Sequence, residues 1–272
     1  MPDYRTFLLD LDGVVYRGNT LLPGARELVE WIDATDRKAL YLSNNSFATP
    51  EEVAAKLARL GMPHPEERVF TAGQAAIQAI AERFPGGRVY MLTVPALETT
   101  AARAGLRPVW RENMDGPPPD AIMVGLDHTL TYERLRRGLR AVLAGAAFYA
   151  VNRDPRLPVE DGFNPGTGSL VAALEYASGM RAETIGKPAP GIVLEAMRRL
   201  DADSASTLMI GDGLDLDIVA GHAAHLTTAL VLTGLTSGEE AATAQGERKP
   251  DMVFRDLTAL LEAAQAGELS PA

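Results

Sequence analysis

The sequence predicts an α/β protein with a doubly wound, parallel-sheet core and a smaller α/β domain inserted into it. Two observations support this fold class. Short apolar runs alternate with amphipathic stretches along the chain, which is the pattern of a parallel sheet with helices on both faces. The middle third, from about Phe84 to Ser178, has strand and helix runs of its own and a long turn-rich passage. The predicted domains are therefore 1–83 and 179–272 for the core and 84–178 for the insert.

The elements follow one another in a regular order. The strand candidates are TFLLDLD (6–12), KALYLSNN (38–45), RVYMLTV (88–94), DAIMVGLD (120–127), AFYAVN (147–152), STLMIGDG (206–213) and TALVLTG (228–234). The helix candidates are GARELVEWI (24–32), PEEVAAKLARLG (50–61), GQAAIQAIAERF (73–84), YERLRRGLRAVLAG (132–145) and PGIVLEAMRRLD (190–201). In such a sheet, ligands bind beyond the carboxyl ends of the strands.

The amino-acid composition argues against several classes of function for this protein. Of the 272 residues, 46% are apolar and 23% are charged, as in ordinary globular proteins. No apolar run approaches the roughly 18 residues of a membrane helix, and no signal peptide is evident, so we expect no membrane association. The lack of cysteine excludes disulfides and thiolate sites and fits a cytoplasmic protein. A net charge of −10 without a basic block argues against binding of nucleic acid.

Two acids, Asp10 and Asp12, follow the first apolar run. Residues two apart share one face of a strand, so both side chains are expected to project the same way past its end. In a purely structural interpretation, one acid caps the next turn and the other is solvated, and this alternative stays open. In the functional interpretation, one acid binds a hard divalent cation and attacks phosphorus, while the other handles protons.

Further polar residues lie at strand ends and at a helix start. Ser43, beside Asn44, ends the second core strand and can donate to a phosphate oxygen or cap an ordinary turn. Lys187, which precedes a proline, opens a predicted helix and is either an anion-binding group or a solvated lysine. Asp212 follows a strand and is a second candidate metal ligand, with Asp217 placed to orient it.

Taken together and in order, these motifs resemble the four motifs of the haloacid dehalogenase superfamily. The wider chain resembles the NagD or p-nitrophenyl phosphatase branch, through DLDGVVYRG (10–18), LSNNS (42–46), NRDPRLPVEDGFNPGTGSLVAALE (152–175), GKPAP (186–190) and GDGLDLDI (211–218). The resemblance implies a Rossmann-like core, an α/β cap of the C2 type, and a Mg²⁺-dependent phosphatase. The implied substrate is a small-molecule phosphomonoester, whether a sugar phosphate, a nucleotide or a similar compound.

The resemblance also implies roles for the acids. Asp10 would be the nucleophile that forms an aspartyl-phosphate, and Asp12 would protonate the leaving oxygen and then activate water. Mg²⁺ would be held by Asp10, the backbone carbonyl of Asp12, and Asp212. Asp217 would support these ligands from outside the metal's own shell.

The remaining implied roles concern the substrate. Ser43 and Asn44 would bind phosphoryl oxygens, and Lys187 would neutralise charge between the phosphate and the nucleophile. The insert would close over the site and select the substrate. The residues expected to face the leaving group are Asn152, Arg153, Asp154 and Arg156. A loop held by Asx turns and salt bridges is an equally good account of these four.

Two alternative functions stay open at this point, one from another class of protein and one from the same superfamily. A phospho-Asp receiver domain uses similar residues, but it is shorter and has no insert of roughly 95 residues. A phosphosugar mutase of the same superfamily would return the phosphoryl group to the sugar. The chain departs from the family pattern at Leu216 and at the additional acid Asp215, which can change metal affinity. A homodimer formed through the cap is a further open alternative.

Overall fold

The computed structural model describes residues 3–109, 116–159 and 162–269. Its strands are β1 (Thr6–Asp10), β2 (Tyr16–Arg17), β3 (Thr20–Leu21), β4 (Lys38–Ser43), β5 (Val69–Thr71), β6 (Arg88–Leu92), β7 (Arg107–Val109), β8 (Ala121–Val124), β9 (Ala147–Ala150), β10 (Arg156–Val159), β11 (Gly162–Pro165), β12 (Glu183–Thr184), β13 (Thr207–Gly211), β14 (Thr227–Val231) and β15 (Met252–Phe254). Its α-helices are α1 (Ala25–Ala34), α2 (Pro50–Arg59), α3 (Pro65–Arg68), α4 (Ala72–Arg83), α5 (Pro95–Arg103), α6 (Tyr132–Leu143), α7 (Thr167–Ser178), α8 (Gly191–Leu200), α9 (Val219–Ala223), α10 (Gly238–Thr243) and α11 (Leu257–Ala266). Among these residues, no helix has the length and apolar character needed to cross a bilayer.

The chain forms two compact units. Unit 1 consists of Met1–Ser43, Pro50–Phe70 and Lys187–Ala272, and unit 2 consists of Asn44–Thr49 and Thr71–Gly186. The predicted insert, 84–178, lies inside unit 2, which also contains α4 before it and β12 after it. These two elements belong there because α4 packs against α5 and β12 pairs with β9. The predicted fold class, a parallel-sheet core with an inserted α/β domain, is confirmed.

Unit 1 is built on a six-stranded sheet with the order β15-β14-β13-β1-β4-β5. The central strand β1 pairs in parallel with β13 and with β4. Its residues Phe7, Leu8 and Leu9 are fully buried, as expected for a strand covered on both faces. Asp10, the last residue of β1, lies opposite Leu42 of β4. The carboxyl ends of β1, β4 and β13 therefore meet at one edge of the sheet.

Unit 2 contains its own five-stranded sheet, with the order β12-β9-β8-β6-β7 and parallel pairing between neighbours. Helices α6 and α7 pack against each other and against this sheet. Their shared core includes Ile122, Phe148, Val171 and Leu174. Strands β10 and β11 form a separate antiparallel hairpin. Unit 2 thus contains a hydrophobic core of its own.

The structure differs from the sequence prediction at the helix that follows Lys187. The sequence predicted that Lys187 opens this helix, but α8 begins at Gly191. The physical reason is the pair of prolines Pro188 and Pro190, because a residue that precedes proline is disfavoured in the α conformation. Lys187 therefore lies in a turn before the helix.

Candidate active site

The site in unit 1 is organised around Lys187, whose side chain is only 2% exposed. Its ammonium group donates to a carboxylate oxygen of Asp10 and, over 2.6 Å, to Oδ1 of Asp217. The carbonyl oxygen of Leu42 lies 3.5 Å away. Lysine is almost never fully buried unless its charge is paired. Burial opposes the charge of Lys187, but Asp10 and Asp217 outweigh that effect and raise its pKa.

Asp217 holds the backbone of the loop that follows β13. Its Oδ2 accepts the backbone N–H groups of Asp212, over 3.2 Å, and of Gly213, over 3.0 Å. Asp217 lies in a π-helical turn, Leu214–Ile218, and such turns are frequent at functional sites. Because Oδ1 already binds Lys187, both oxygens of Asp217 are engaged with the protein. This side chain fixes the loop that carries Asp212.

Asp212 sits in a cradle of backbone atoms. Its Oδ2 accepts the N–H of Leu235 over 2.6 Å. A Cβ atom at Gly234 would lie 1.7 Å from that oxygen, and one at Gly13 would lie 2.4 Å from it. Gly13 also has a φ of +87°, which side chains rarely adopt. Gly13 belongs to the Asp-x-Asp-Gly motif of the sequence, whereas Gly234 was not singled out from it.

The carboxylates of Asp10, Asp212 and Asp217 form one cluster, since an oxygen from each lies within 4.8 Å of the others. Burial raises the pKa of Asp10 to about 8, against the pull of Lys187 and with the support of the two neighbouring acids. Burial, followed by repulsion from Asp217, raises the pKa of Asp212 to about 6. Three acids thus face one lysine. A hard divalent cation with oxygen ligands relieves this excess of negative charge, and Asp10 and Asp212 are the acids that can bind it.

Asp12 occupies a different environment from Asp10. Its side chain is exposed, and its backbone forms an isolated bridge with Tyr16. The ammonium group of Lys56 lies 3.6 Å from the centre of the Tyr16 ring, in a cation–π contact. Burial lowers the pKa of Lys56, against the attraction of Asp12. Lys56 was not singled out from the sequence, because nothing in the pattern of α2 distinguishes it from a surface lysine.

Comparison with known proteins identifies the family. A family model described as haloacid dehalogenase-like hydrolase matches residues 7–107, and one described as HAD-hydrolase-like matches residues 184–260. An acid sugar phosphatase of Staphylococcus saprophyticus is 36% identical over 265 residues, which cover 96% of this chain and 98% of that protein. The chain belongs to the haloacid dehalogenase-like hydrolases. The predicted family is thereby confirmed.

This hydrolase also resembles solved structures over nearly its whole length. A glycerol phosphate phosphatase from Mycobacterium tuberculosis, in complex with magnesium, matches with a TM-score of 0.85 and 38% identity, covering 95% of this hydrolase and 76% of that chain. A 4-nitrophenylphosphatase from Thermotoga maritima matches with a TM-score of 0.87 and 32% identity, covering 96% and 98%. The predicted NagD-like and p-nitrophenyl phosphatase-like branch is confirmed.

Ser43 and Asn44, the predicted phosphate-binding residues of this hydrolase, are adjacent in the chain but fall in different units. Ser43 ends β4, one residue beyond Leu42, which is in register with Asp10. Asn44 belongs to unit 2. Its carbonyl oxygen accepts a hydrogen bond from the side chain of Asn152 over 2.6 Å. The role of this pair in binding phosphate stays a prediction.

The predicted leaving-group residues lie together in unit 2, where Asn152, Arg153 and Asp154 contact other residues of the same unit. Arg153 binds the carboxylate of Glu175 through two hydrogen bonds and also donates to the hydroxyl of Thr184. Asn152 is buried, whereas Asp154 is partly exposed and lies 3.5 Å from the side-chain nitrogen of Asn44. The fourth residue, Arg156, is exposed at the start of β10. Contact of any of the four with a leaving group stays a prediction.

Proposed function

We propose that this hydrolase releases phosphate from a small-molecule phosphomonoester, with Mg²⁺ as cofactor and with an aspartyl-phosphate on Asp10. The observation that carries the proposal is the buried cluster of unit 1, in which three acids face the single ammonium group of Lys187. Such an excess of buried negative charge is costly in a purely structural cluster. It suits a site that is completed by a divalent cation and a phosphoryl group.

Asp10 is the nucleophile of this mechanism. A carboxylate oxygen of Asp10 forms a bond to phosphorus as the bond from phosphorus to the leaving alcohol breaks. Lys187 donates to that carboxylate and holds its orientation, and its positive charge offsets the charge that accumulates around phosphorus. Phosphoryl transfer depends mainly on this kind of positioning and charge neutralisation.

Asp12 supplies the proton chemistry. Its exposed side chain stands two residues beyond Asp10 and is accessible to a substrate. Asp12 gives a proton to the leaving oxygen in the first step. It then takes a proton from the water that attacks phosphorus and releases phosphate from Asp10. The two acids thus divide nucleophilic and acid–base work.

The residues that fit the cation are Asp10, Asp212 and the backbone carbonyl of Asp12. Bound Mg²⁺ would neutralise phosphoryl oxygens and keep the phosphoryl group near the attacking carboxylate. Asp217 keeps the loop of Asp212 in place through two backbone N–H groups. Ser43 and Asn44 bind the remaining phosphoryl oxygens.

The substrate class is inferred from the relatives. The relatives described above are named for sugar phosphates, glycerol phosphate and 4-nitrophenyl phosphate. All three are small phosphomonoesters that differ in their alcohols. We therefore infer a substrate of this size, with phosphorylated sugars and polyols as the first compounds to test.

The experiment is an assay of phosphate release with and without Mg²⁺. The panel contains a hexose phosphate, glycerol phosphate, a nucleoside monophosphate and p-nitrophenyl phosphate. We expect continuous, Mg²⁺-dependent release that is abolished in Asp10→Asn and retained in Asp215→Asn, an acid on the same side of the sheet but outside the cluster. A single phosphorylation event per protein would support a receiver domain instead, and isomerisation of a sugar phosphate without release would support a mutase.

A further inference from the structure

The segment Asn44–Thr49 lies in sequence between two parts of unit 1 but packs within unit 2. Unit 2 holds it at two successive points. The side-chain nitrogen of Asn152 donates to the carbonyl oxygen of Asn44 over 2.6 Å. The hydroxyls of Ser46 and Thr167 then hydrogen-bond to each other over 2.7 Å. The chain is therefore anchored on unit 2 immediately after Ser43.

Both ends of the Asn152 amide are engaged. Asn152 lies two residues beyond the end of β9 and is only 2% exposed. Its side-chain oxygen accepts the backbone N–H of Asp154 over 3.3 Å, while its nitrogen donates to Asn44. A buried amide that bridges two backbone groups is rigid, because release of either partner would leave a buried polar group unsatisfied.

The hydrogen bond to the Asn44 carbonyl fixes more than one atom. A peptide group is planar, so holding this carbonyl also fixes the direction of the N–H of Asn45. Asn45 is constrained on its other side as well, since its side-chain oxygen accepts the N–H groups of Phe47 and Ala48 over 2.8 and 2.7 Å. The backbone that directly follows Ser43 is thus held from both sides.

From these contacts we propose that Asn152 is a positioning residue for phosphate: it orients the peptide at Asn44 and so sets the affinity of the site for the phosphoryl group. This inference rests on the proposed function, in which Asn44 binds phosphoryl oxygens. It differs from the sequence-based expectation that Asn152 faces the leaving group. If Asn152 is a positioning residue, its loss weakens the binding of every phosphomonoester equally. If Asn152 contacts the leaving group, its loss changes the preference of the enzyme among esters of different alcohols.

The test compares Asn152→Leu with Thr167→Val. Leucine has the branching and the number of heavy side-chain atoms of asparagine but no donor, and valine likewise removes the hydroxyl that binds Ser46 while it preserves the shape of threonine. We expect Asn152→Leu to raise the inhibition constant of inorganic phosphate about tenfold and to lower kcat/KM by a similar factor for every ester of the panel. Thr167→Val should leave both quantities within about twofold of wild type.

Two results would overturn the proposal. One is an unchanged inhibition constant of phosphate in Asn152→Leu, with a changed ranking of the esters, which would assign Asn152 to the leaving group. The other is an equal rise of that constant in both variants, which would show a general loosening of the segment. Thermal unfolding checks that each variant is folded, and Asn152→Ala, with the same expectation, replaces a leucine variant that does not fold.

The same experiment separates this inference from the proposed function. A wild-type protein that turns over no ester contradicts the proposed function. In that case, calorimetry measures the affinity of wild type and Asn152→Leu for inorganic phosphate in the presence of Mg²⁺. Equal affinity in the two proteins contradicts the inference. If wild type is active and Asn152→Leu binds phosphate as tightly as wild type, the inference about Asn152 is wrong and the proposed function is unaffected.

Discussion

The two units contain buried acids in opposite electrostatic situations. In unit 1, Lys187 faces a cluster of three carboxylates, and the pKa of Asp10 is raised to about 8, chiefly by burial. In unit 2, Glu175 is paired with both Arg153 and Arg181. Hydrogen bonding by Arg153, first of all, lowers the pKa of Glu175 to about 2. One cluster has an excess of acid and the other has an excess of base.

A buried ion pair in unit 2 also differs from the acidic cluster of unit 1. Asp127 and Arg134 form an ion pair of 2.5 Å, with side chains only 1% and 7% exposed. Arg134 also donates to the hydroxyl of Thr129 and to the carbonyl oxygen of Met91. The charges here match one to one. In unit 2, arginine offsets the charge of each of these buried acids, as in clusters that serve the fold; the unbalanced acid of unit 1 is what our proposal completes with a cation and a phosphoryl group.

The largest expected effect is that of Lys187→Met. This substitution leaves Asp10 and Asp217 buried without a positive partner, which costs about 3–5 kcal/mol in similar cases. It also removes the charge next to the nucleophile, so we expect kcat/KM to fall by at least about a hundredfold. Urea unfolding and steady-state phosphate release measure the two effects.

The matched control in unit 2 is Arg134→Met. It breaks a buried ion pair with Asp127, so we expect a comparable loss of stability. The folded fraction should retain kcat/KM within about twofold, because this pair has no role in the chemistry. If Lys187→Met lowered stability but not activity, the distinction between the two clusters would be wrong.

The next effect concerns the metal. Mg²⁺ at a hundred times its dissociation constant should stabilise the protein by about 2.7 kcal/mol, since it binds the folded state only. Asp212→Asn should abolish this increase, measured as a shift in Tm, whereas Glu175→Gln should retain it. An equal response to Mg²⁺ in all three proteins would place the metal outside the cluster of unit 1.

Local patterns were sufficient to find the acids of unit 1 but not the groups that hold them. Asp10 and Asp212 were predictable because each follows an apolar strand, and parallel strands place their carboxyl ends together. The N–H of Leu235 that binds Asp212 comes from a loop 23 residues away in sequence. No local pattern connects such a pair, because it forms only when β13 and β14 pair in the sheet.

In unit 2 as well, the sequence does not reveal contacts between residues that are distant in the chain. Arg153 and Glu175 lie 22 residues apart, so their pairing is a tertiary contact without a local signal. The helix that carries Glu175, Thr167–Ser178, was also not predicted as an element. Apolar residues lie on most sides of this helix, so its sequence lacks the alternation of apolar and polar faces that predicts an amphipathic helix. The passage before it is rich in Gly and Pro, which favours a turn-rich interpretation.

A smaller effect is the acid sensitivity of Glu175. Its pKa in the folded protein lies near 2, below the ordinary value of 4.5. The stabilisation is therefore complete above about pH 4.5 and is lost as the pH falls toward 2. We expect it to be on the order of 1 kcal/mol, because the partners Arg153 and Arg181 are substantially exposed.

Urea unfolding at pH 6 and pH 3 tests this expectation. Wild type should lose more stability between the two pH values than Glu175→Gln, which cannot titrate at this position. An identical loss in both proteins would mean that the arginines do not stabilise the carboxylate, and the cluster of Glu175 with Arg153 and Arg181 would then contribute little to the fold.

The smallest effect is expected at Asp215, the acid that departs from the family pattern. Its side chain is 74% exposed and is bound in a bidentate pair by Arg248, over 2.7 and 3.1 Å. Asp215 therefore adds no unpaired charge to the cluster, and an exposed pair of this kind contributes little to stability. We expect Asp215→Asn to change the Mg²⁺ concentration for half-maximal activity by less than about twofold and the stability by less than about 0.5 kcal/mol. Titration of activity with Mg²⁺ measures this, with Asp212→Asn as the contrasting variant. A tenfold change would mean that the electrostatic site extends beyond the three buried acids, so that burial alone would not separate functional from structural carboxylates in this protein.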